Sequence, residues 1–191
     1  MKKIFLSLLT LTLLGSAMAQ NADSPSTQGS GAAGSQTATS SMPRNDAEIT
    51  NSLMTVNTQE MNLARLARQK AENKQVKEFS EMMFSEHAKN NDKAQALATK
   101  QGINLKETQA SMNLKFTSED QIEQLRGMKG KQFDKAYMQT QVDLHRKVLD
   151  RLDNTLIPNA KDSELKAMLQ QTRGKVQDHM NQAEKINSSL Q

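Results

Sequence analysis

Four stretches of this chain place apolar residues at alternating steps of four and three, and that spacing restricts the fold more than any other feature. Ile49, Leu53, Val56, Glu60, Leu63 and Ala67 form the first seam, and Val76, Phe79, Met83, His87, Asn90, Ala94 and Leu97 the second. Met138, Val142, His145, Leu149, Leu152 and Leu156 form the third, broadened by Phe133, Tyr137 and Leu144. Leu165, Leu169, Thr172, Val176, His179, Ala183, Ile186 and Leu190 form the fourth. Residues so spaced share one face of an α-helix, so each stretch predicts a long helix burying one stripe. No alternation of period two competes. The composition agrees: with 36% hydrophobic and 3% aromatic residues and no Trp, the chain lacks what the strands of a β-sandwich or α/β enzyme need.

The punctuation between the seams sets the connections. Asn45 or Asp46 can cap the first helix, and a break near Asn73-Lys74 separates it from the second. Gly102 suits a left-handed end to the second helix. Pro158 is expected to stop the third, and Asp162 or Ser163 to cap the fourth. Residues 103–129 have no long seam. There Ser118-Glu119-Asp120-Gln121 reads as a capping box for a short helix carrying Ile122 and Leu125, with Gly127 and Gly130 at its end. Four long helices joined short, long, short predict an all-α four-helix bundle over residues 45–191. A crossover that long, carrying a short extra helix, can traverse the bundle and give the up-down-down-up order of ferritin-like proteins.

Two segments precede the bundle. Lys2 and Lys3, an apolar run from Ile4 to Leu14, and Ala17-Met18-Ala19 make the three-part pattern of a secretory signal peptide over residues 1–19. Its apolar core is too short for a permanent membrane span, and no later stretch reaches the ~18 apolar residues a span requires. Residues 20–44, rich in Ser, Thr, Gly, Ala, Gln and Asn, are too polar to offset their ordering entropy and read as a disordered leader. The expected location is therefore periplasmic or secreted. Without Lys2 and Lys3 the formal charge falls from +4 to +2, and one Tyr and few Phe offer no stacking platform, so no nucleic-acid partner is expected. Zero Cys excludes disulfides, thiolate metal sites and a thiol nucleophile.

The three histidines of the chain fall on three different seams, and the remaining seam carries Glu60. Glu is almost never fully buried unless paired. At ~1.5 Å rise per residue, Glu60 and His87 stand at the same height above the Asn73 turn, and His145 and His179 flank the Pro158–Asp162 turn at comparable distances. One polar layer at mid-bundle follows. Two chemistries fit it. Glu60, His87, His145 and His179 could hold one divalent transition metal (zinc, iron, manganese or copper). They could instead form a metal-free hydrogen-bonded network that fixes helix register at a cost in stability. Asn90, Asn91, Gln141, Asp143 and Asp178 are expected around the layer. Met83 and Met180 adjoin it and would suit copper, although Met at helical spacing ordinarily fills core gaps.

The residues also resemble a known family. Glu60-Met61-Asn62-Leu63-Ala64-Arg65-Leu66-Ala67, Val76-Lys77-Glu78-Phe79, Met82-Met83-Phe84-Ser85-Glu86-His87, and Phe133-Asp134-Lys135-Ala136-Tyr137-Met138 with His145 and His179 are similar to an exported bacterial family. It is catalogued as domain of unknown function 4142, and its members are often labelled exported or outer-membrane proteins. The resemblance covers about residues 46–187 and implies a ferritin-like fold and export, with no established activity. Di-iron ferritins carry Glu-x-x-His on two helices, whereas positions 84 and 176 here are Phe and Val, so the resemblance brings no carboxylate-bridged iron pair.

No Gly-x-Ser-x-Gly or phosphate loop occurs, and no nucleophile–base pair for hydrolysis is visible. The leading functional reading is a non-enzymatic exported bundle serving envelope stress or metal handling. The alternatives are a metal-dependent redox enzyme acting on a small oxidant, and a metal-free structural or adhesion module. Intact-mass measurement of exported protein should find a chain beginning at Gln20; retention of residues 1–19 would contradict the signal-peptide reading.

Overall fold

Four of the helices begin where a short polar side chain takes up N–H groups that a helix start leaves bare. Asn45 Oδ1 accepts from the Glu48 N–H (2.9 Å) and opens α1, Asp46–Lys70. Asp46 and Glu48 in its first turn and Arg68 and Lys70 in its last complement the helix dipole. Asn73 Oδ1 accepts from the N–H groups of Gln75 (2.8 Å) and Val76 (3.3 Å) and opens α2, Lys74–Lys100. Asp162 Oδ1 accepts from the Leu165 N–H (2.8 Å) and opens α5, Ser163–Ser189. The structure is a computed structural model describing residues 45–190, except the side chains at 109–110 and 116–118; the signal peptide and leader expected over residues 1–44 lie outside the described residues. Everything described is helix or connection, without strands.

Gly102 closes α2 as expected. Its φ is +64°, and the N–H groups of Ile103 and Gly102 bond the carbonyls of Ala98 (2.9 Å) and Thr99 (3.2 Å), the paired bonds of a Schellman turn.

Two expected boundaries differ. The crossover helix α3 runs Gln109–Arg126, starting well before Ser118. Thr108 and Ser111 form the capping box instead: the Ser111 N–H donates to Thr108 Oγ1 (3.1 Å), and the Thr108 N–H to Ser111 Oγ (2.9 Å). Residues 118–121 carry the same local signal but stand inside a helix already nucleated upstream. Nor does the third seam end at Leu156. Helix α4, Gly130–Arg151, continues through a π-helical turn, Leu152–Leu156, and a last α-turn, Ile157–Asn159. The wide turn, closed by the Ile157 N–H on the Leu152 carbonyl, lets Pro158 enter the helix although it has no N–H to give.

Two carboxylates decide how the helices are ordered. Asp134, buried in α4, accepts from the backbone N–H groups of Glu72 (3.2 Å) and Asn73 (2.8 Å) in the α1–α2 turn. Asp46, the first residue of α1, accepts from those of Lys161 (2.8 Å) and Asp162 (2.9 Å) in the α4–α5 turn. Each hairpin thus clamps the turn of the other, which sets α1 against α4 head to tail. Lys100 pairs with Glu164 (2.6 Å), and Ser189 Oγ donates to Gln75 Oε1 (3.3 Å), so α2 and α5 are also antiparallel. Helix α3 returns the chain along α1, held by Asn51 Nδ2 on the Lys106 carbonyl (2.6 Å) at one end and Lys70 Nζ on the Arg126 carbonyl at the other. The order is up-down-down-up, a ferritin-like four-helix bundle.

The buried apolar residues fall into two clusters. One holds Leu63, Phe79, Met83, Phe133, Tyr137 and Met138, the other Ile49, Leu53, Leu149, Leu152, Leu165 and Leu169. Between them lies a polar layer. Replacing Asp134 by Ala strands two N–H groups beside a buried site and should lower the unfolding free energy by roughly 2–4 kcal/mol. Urea denaturation would read the loss, and Asp134→Asn, which keeps one acceptor, should recover about half of it.

Candidate metal centre

The layer is built by one or two buried polar residues from each of the four bundle helices. Asn57 and Glu60 come from α1, His87 from α2, Gln141 and His145 from α4, and Thr172 and His179 from α5, all buried. The three imidazoles face one another, with ring centroids 5.5 Å apart for His87–His179 and His145–His179 and 6.1 Å for His87–His145. One ring nitrogen from each lies within 4.8 Å of those of the other two.

Each ring spends its single N–H on a partner that can only accept. His87 Nδ1 donates to Asn57 Oδ1 (2.9 Å), His145 Nδ1 to the Gln141 carbonyl (2.8 Å), and His179 Nε2 to Glu86 Oε2 (3.1 Å). Asn57 is fixed in turn: its Oδ1 also accepts from Asn90 Nδ2 (3.2 Å), and Asn90 Oδ1 accepts from Thr172 Oγ1 (3.2 Å). The second nitrogen of every ring, Nε2 of His87 and His145 and Nδ1 of His179, is buried without a partner. Three lone pairs are left with no donor among the three rings. One water could donate to two of them and would leave the third bare.

Burial sets the protonation states. It holds the His145 pKa down at about 4, slightly offset by the Gln141 carbonyl. Burial, with the neighbouring His145 and His179, holds His87 well below the usual imidazole range. Burial and His145 lower His179 despite Glu86 and Glu60. Glu86 is itself pushed up by burial, but its bond to His179 and the nearby Lys175 outweigh this and bring it below the usual carboxylate value. The rings are neutral at neutral pH, the form that binds metal.

The fourth expected site residue, Glu60, is placed differently. Its Oε2 accepts from Gln141 Nε2 (3.0 Å), and its Oε1 lies 3.8 Å from His145 Nδ1. That is the nitrogen already bonded to the Gln141 carbonyl, so Glu60 backs His145 rather than meeting its free nitrogen. Burial raises its pKa to about 7, with the Gln141 amide opposing. Burial and Glu60 together push the Tyr137 hydroxyl well up. Of the residues expected around the layer, Gln141 and Asn90 belong to it. Asp143 instead joins Gln139 and Arg146 at the surface, and Asp178 lines an exposed groove. Met83 and Met180 pack in the apolar clusters.

Asn57 and Glu86 are the residues that sequence reading missed. The first seam ran through Val56, but Asn57 is the buried neighbour. Its spacing, four after Leu53 and three before Glu60, was the available signal. Glu86 reads as a surface residue on its own helix, and its partner His179 belongs to another.

Between α2 and α5 an open groove of about 590 Å³ reaches His87 and His179 and is bordered by Lys89, Lys93, Lys175, Glu86 and Asp178. No described helix is long and apolar enough to cross a membrane.

Fold and layer together define a ferritin-like helical bundle with a buried three-imidazole cluster at mid-height. The family model for domain of unknown function 4142 matches residues 31–186, and the chain belongs to that family. No curated protein matches it. Among solved structures, it is similar to a Streptomyces coelicolor protein of domain of unknown function 305, described as secreted, with a TM-score of 0.65 at 9% identity. The match covers 74% of this chain and 91% of that one, and at such identity it speaks for the fold alone.

The shifted groups make stability depend on pH in opposite senses. The imidazoles, lowered from 6.5, take up protons in the unfolded chain first, so they cost stability as pH falls from 6.5 toward about 4. Glu60, raised from 4.5 to about 7, holds its proton longer when folded, and its contribution is lost as pH rises through 7. Metal-free protein should therefore lose stability below pH 6.5. Glu60→Gln should steepen that loss by up to ~1.4 kcal/mol per pH unit and remove the decline near pH 7, as read by urea unfolding in chelator.

Proposed function

We propose that this protein is an exported helical bundle that binds one divalent transition metal through His87, His145 and His179 and serves metal handling in the cell envelope. The observation that carries the reading is the set of three buried ring nitrogens with no hydrogen-bond partner, each on a ring whose other nitrogen is already committed. A buried polar atom without a partner costs about 1–3 kcal/mol, and three such atoms converging is a poor way to build a structural network. A Lewis acid satisfies all three at once. Asn57, the Gln141 carbonyl and Glu86 then act as the outer partners that orient the rings and hold their tautomers.

Metal–imidazole bonds of ~2.0–2.1 Å in a tetrahedral site put donor nitrogens ~3.4 Å apart. Contraction from 4.8 Å asks each ring to move by roughly 0.7 Å. Zinc, iron, manganese and copper remain the metals to test; three imidazoles with one position open is a pattern that zinc takes. Glu60 is assigned to support of His145 rather than to the metal. Export rests on the sequence pattern of residues 1–19 and on the family's character.

A metal-dependent redox activity is the second reading, favoured by the groove that opens beside His87 and His179.

Metal-free, untagged protein titrated with zinc should show a rising unfolding midpoint, equivalent to about 2.7 kcal/mol at a hundredfold excess over Kd. The response should persist below pH 6.5, because burial keeps the rings neutral, weaken as pH falls toward about 4, where His145 protonates, and vanish in His145→Ala. Asn57→Ala and Glu86→Ala should weaken affinity by about 10–100-fold while leaving the site recognisable. No shift with zinc, iron, manganese or copper would sink the metal reading.

A further inference from the structure

The three imidazoles are neutral ligands, and a divalent metal bound to them would bring its whole charge into a low-dielectric core. The carboxylate nearest the rings on the inner side, Glu60, stands behind His145. Glu86 is shared between His179 (3.1 Å) and Lys175 (3.7 Å), so much of its charge is answered by the lysine. A dication buried without an anion is strongly disfavoured, and three imidazoles leave one position open on a tetrahedral metal. Charge and coordination number ask for the same thing, one anionic donor.

The groove between α2 and α5 can supply it. His87 and His179 border the groove and His145 does not, so the groove is the side from which solvent comes nearest the cluster, with a ring's thickness between it and the buried bare nitrogens. Two further surface grooves, one between the ends of α2 and α5 and one between α1 and α3, touch none of the three rings. Three lysines border the groove against two carboxylates, and Lys89 and Lys93 are exposed with no ion pair among the described residues. Lys175 pairs with Glu86, which leaves Lys89 and Lys93 against Asp178, a small positive surplus that favours an anion. Gly174 stands in the middle of α5 on the same wall, where a Cβ would meet nothing within 4 Å. Glycine is a poor helix former, and here its effect is to leave the wall of the groove bare.

We propose that the α2–α5 groove admits a small monovalent anion with an oxygen or nitrogen donor atom, which completes the coordination of the metal held by His87, His145 and His179. The inference rests on the metal reading above and adds the class of ligand, its route and the residues that select it. Lys89 and Lys93 draw the anion in, the bare position at Gly174 leaves it room, and Glu60 takes no part. Such an exchangeable position is what a metal site needs to act on a small anion or on a molecule that binds as one.

Cobalt(II) provides the test, because its visible d–d absorption reports a change of ligand. Metal-free protein is loaded with cobalt, and azide, then acetate, is titrated at neutral pH. The wild type should show a saturable spectral change with azide. In the fully cobalt-loaded Lys89→Glu/Lys93→Glu variant, azide affinity should fall about three- to tenfold, and the effect should shrink at high salt. Gly174→Phe, whose ring would stand in the groove, should lose the azide response while retaining the helical circular-dichroism spectrum. A cobalt-loaded wild type that azide leaves unchanged overturns the anion proposal and leaves the metal reading intact. Equal azide affinity in wild type and both variants overturns the assigned route. If cobalt does not bind at all, the metal reading fails and this proposal with it.

Discussion

Three buried imidazoles, each with one nitrogen satisfied and one bare, are the constraint around which the bundle is arranged. Their N–H groups are bound outward, to Asn57, to the Gln141 carbonyl and to Glu86, and this turns the remaining nitrogens toward one another. In water three such lone pairs would cost nothing. Inside the bundle they are costly unless something electrophilic meets them, and burial also suppresses the protonation that would let one ring donate to the next. The apolar core is divided by this layer into two clusters, so tight packing above and below holds the rings in place.

Convergence of side chains from four helices requires that the helices not slide. The Asp46 and Asp134 clamps meet that need. Each carboxylate takes two backbone N–H groups from the turn of the opposite hairpin, which pins one hairpin against the other at both ends. The two turns even share their backbone shape: the capping residues Asn73 and Asp162 have φ −70° and ψ 132° and 130°, respectively. A sliding step of one helical turn, ~5.4 Å, would break both clamps and carry each imidazole past its neighbours. Register and site are thus two consequences of the same polar contacts.

The fold is shared with a protein only 9% identical, which shows how little of this architecture depends on particular residues. An apolar stripe on each helix and a crossover of adequate length suffice for the bundle. The chemistry of this chain is local: three histidines, their three outward partners and a groove beside them that carries two lysines unpaired among the described residues. Function has to be argued from those groups, because the bundle itself is compatible with many tasks.

The sequence by itself determined the helical class, the four long helices, most caps and the height of the polar layer, because each depends on spacing along one helix. Asn45, Asn73, Gly102 and Asp162 act through neighbours within a few residues, and a strip of the chain is enough to read them. Only the tertiary structure decided that Glu60 backs His145, that Asn57 rather than Val56 enters the layer, and that Glu86 reaches His179. The same holds for the crossed clamps of Asp46 and Asp134, whose partners lie on the opposite hairpin. It also holds for the late stop of α4, where a π-turn absorbs Pro158, whereas the start of α3 at Thr108 rests on a local box with Ser111 that competes with the similar signal at Ser118. Helical periodicity reports which face a residue occupies, but the facing atom belongs to another helix whose rotation and offset are fixed by packing. That is the physical reason the layer was legible in the sequence and its hydrogen bonds were not.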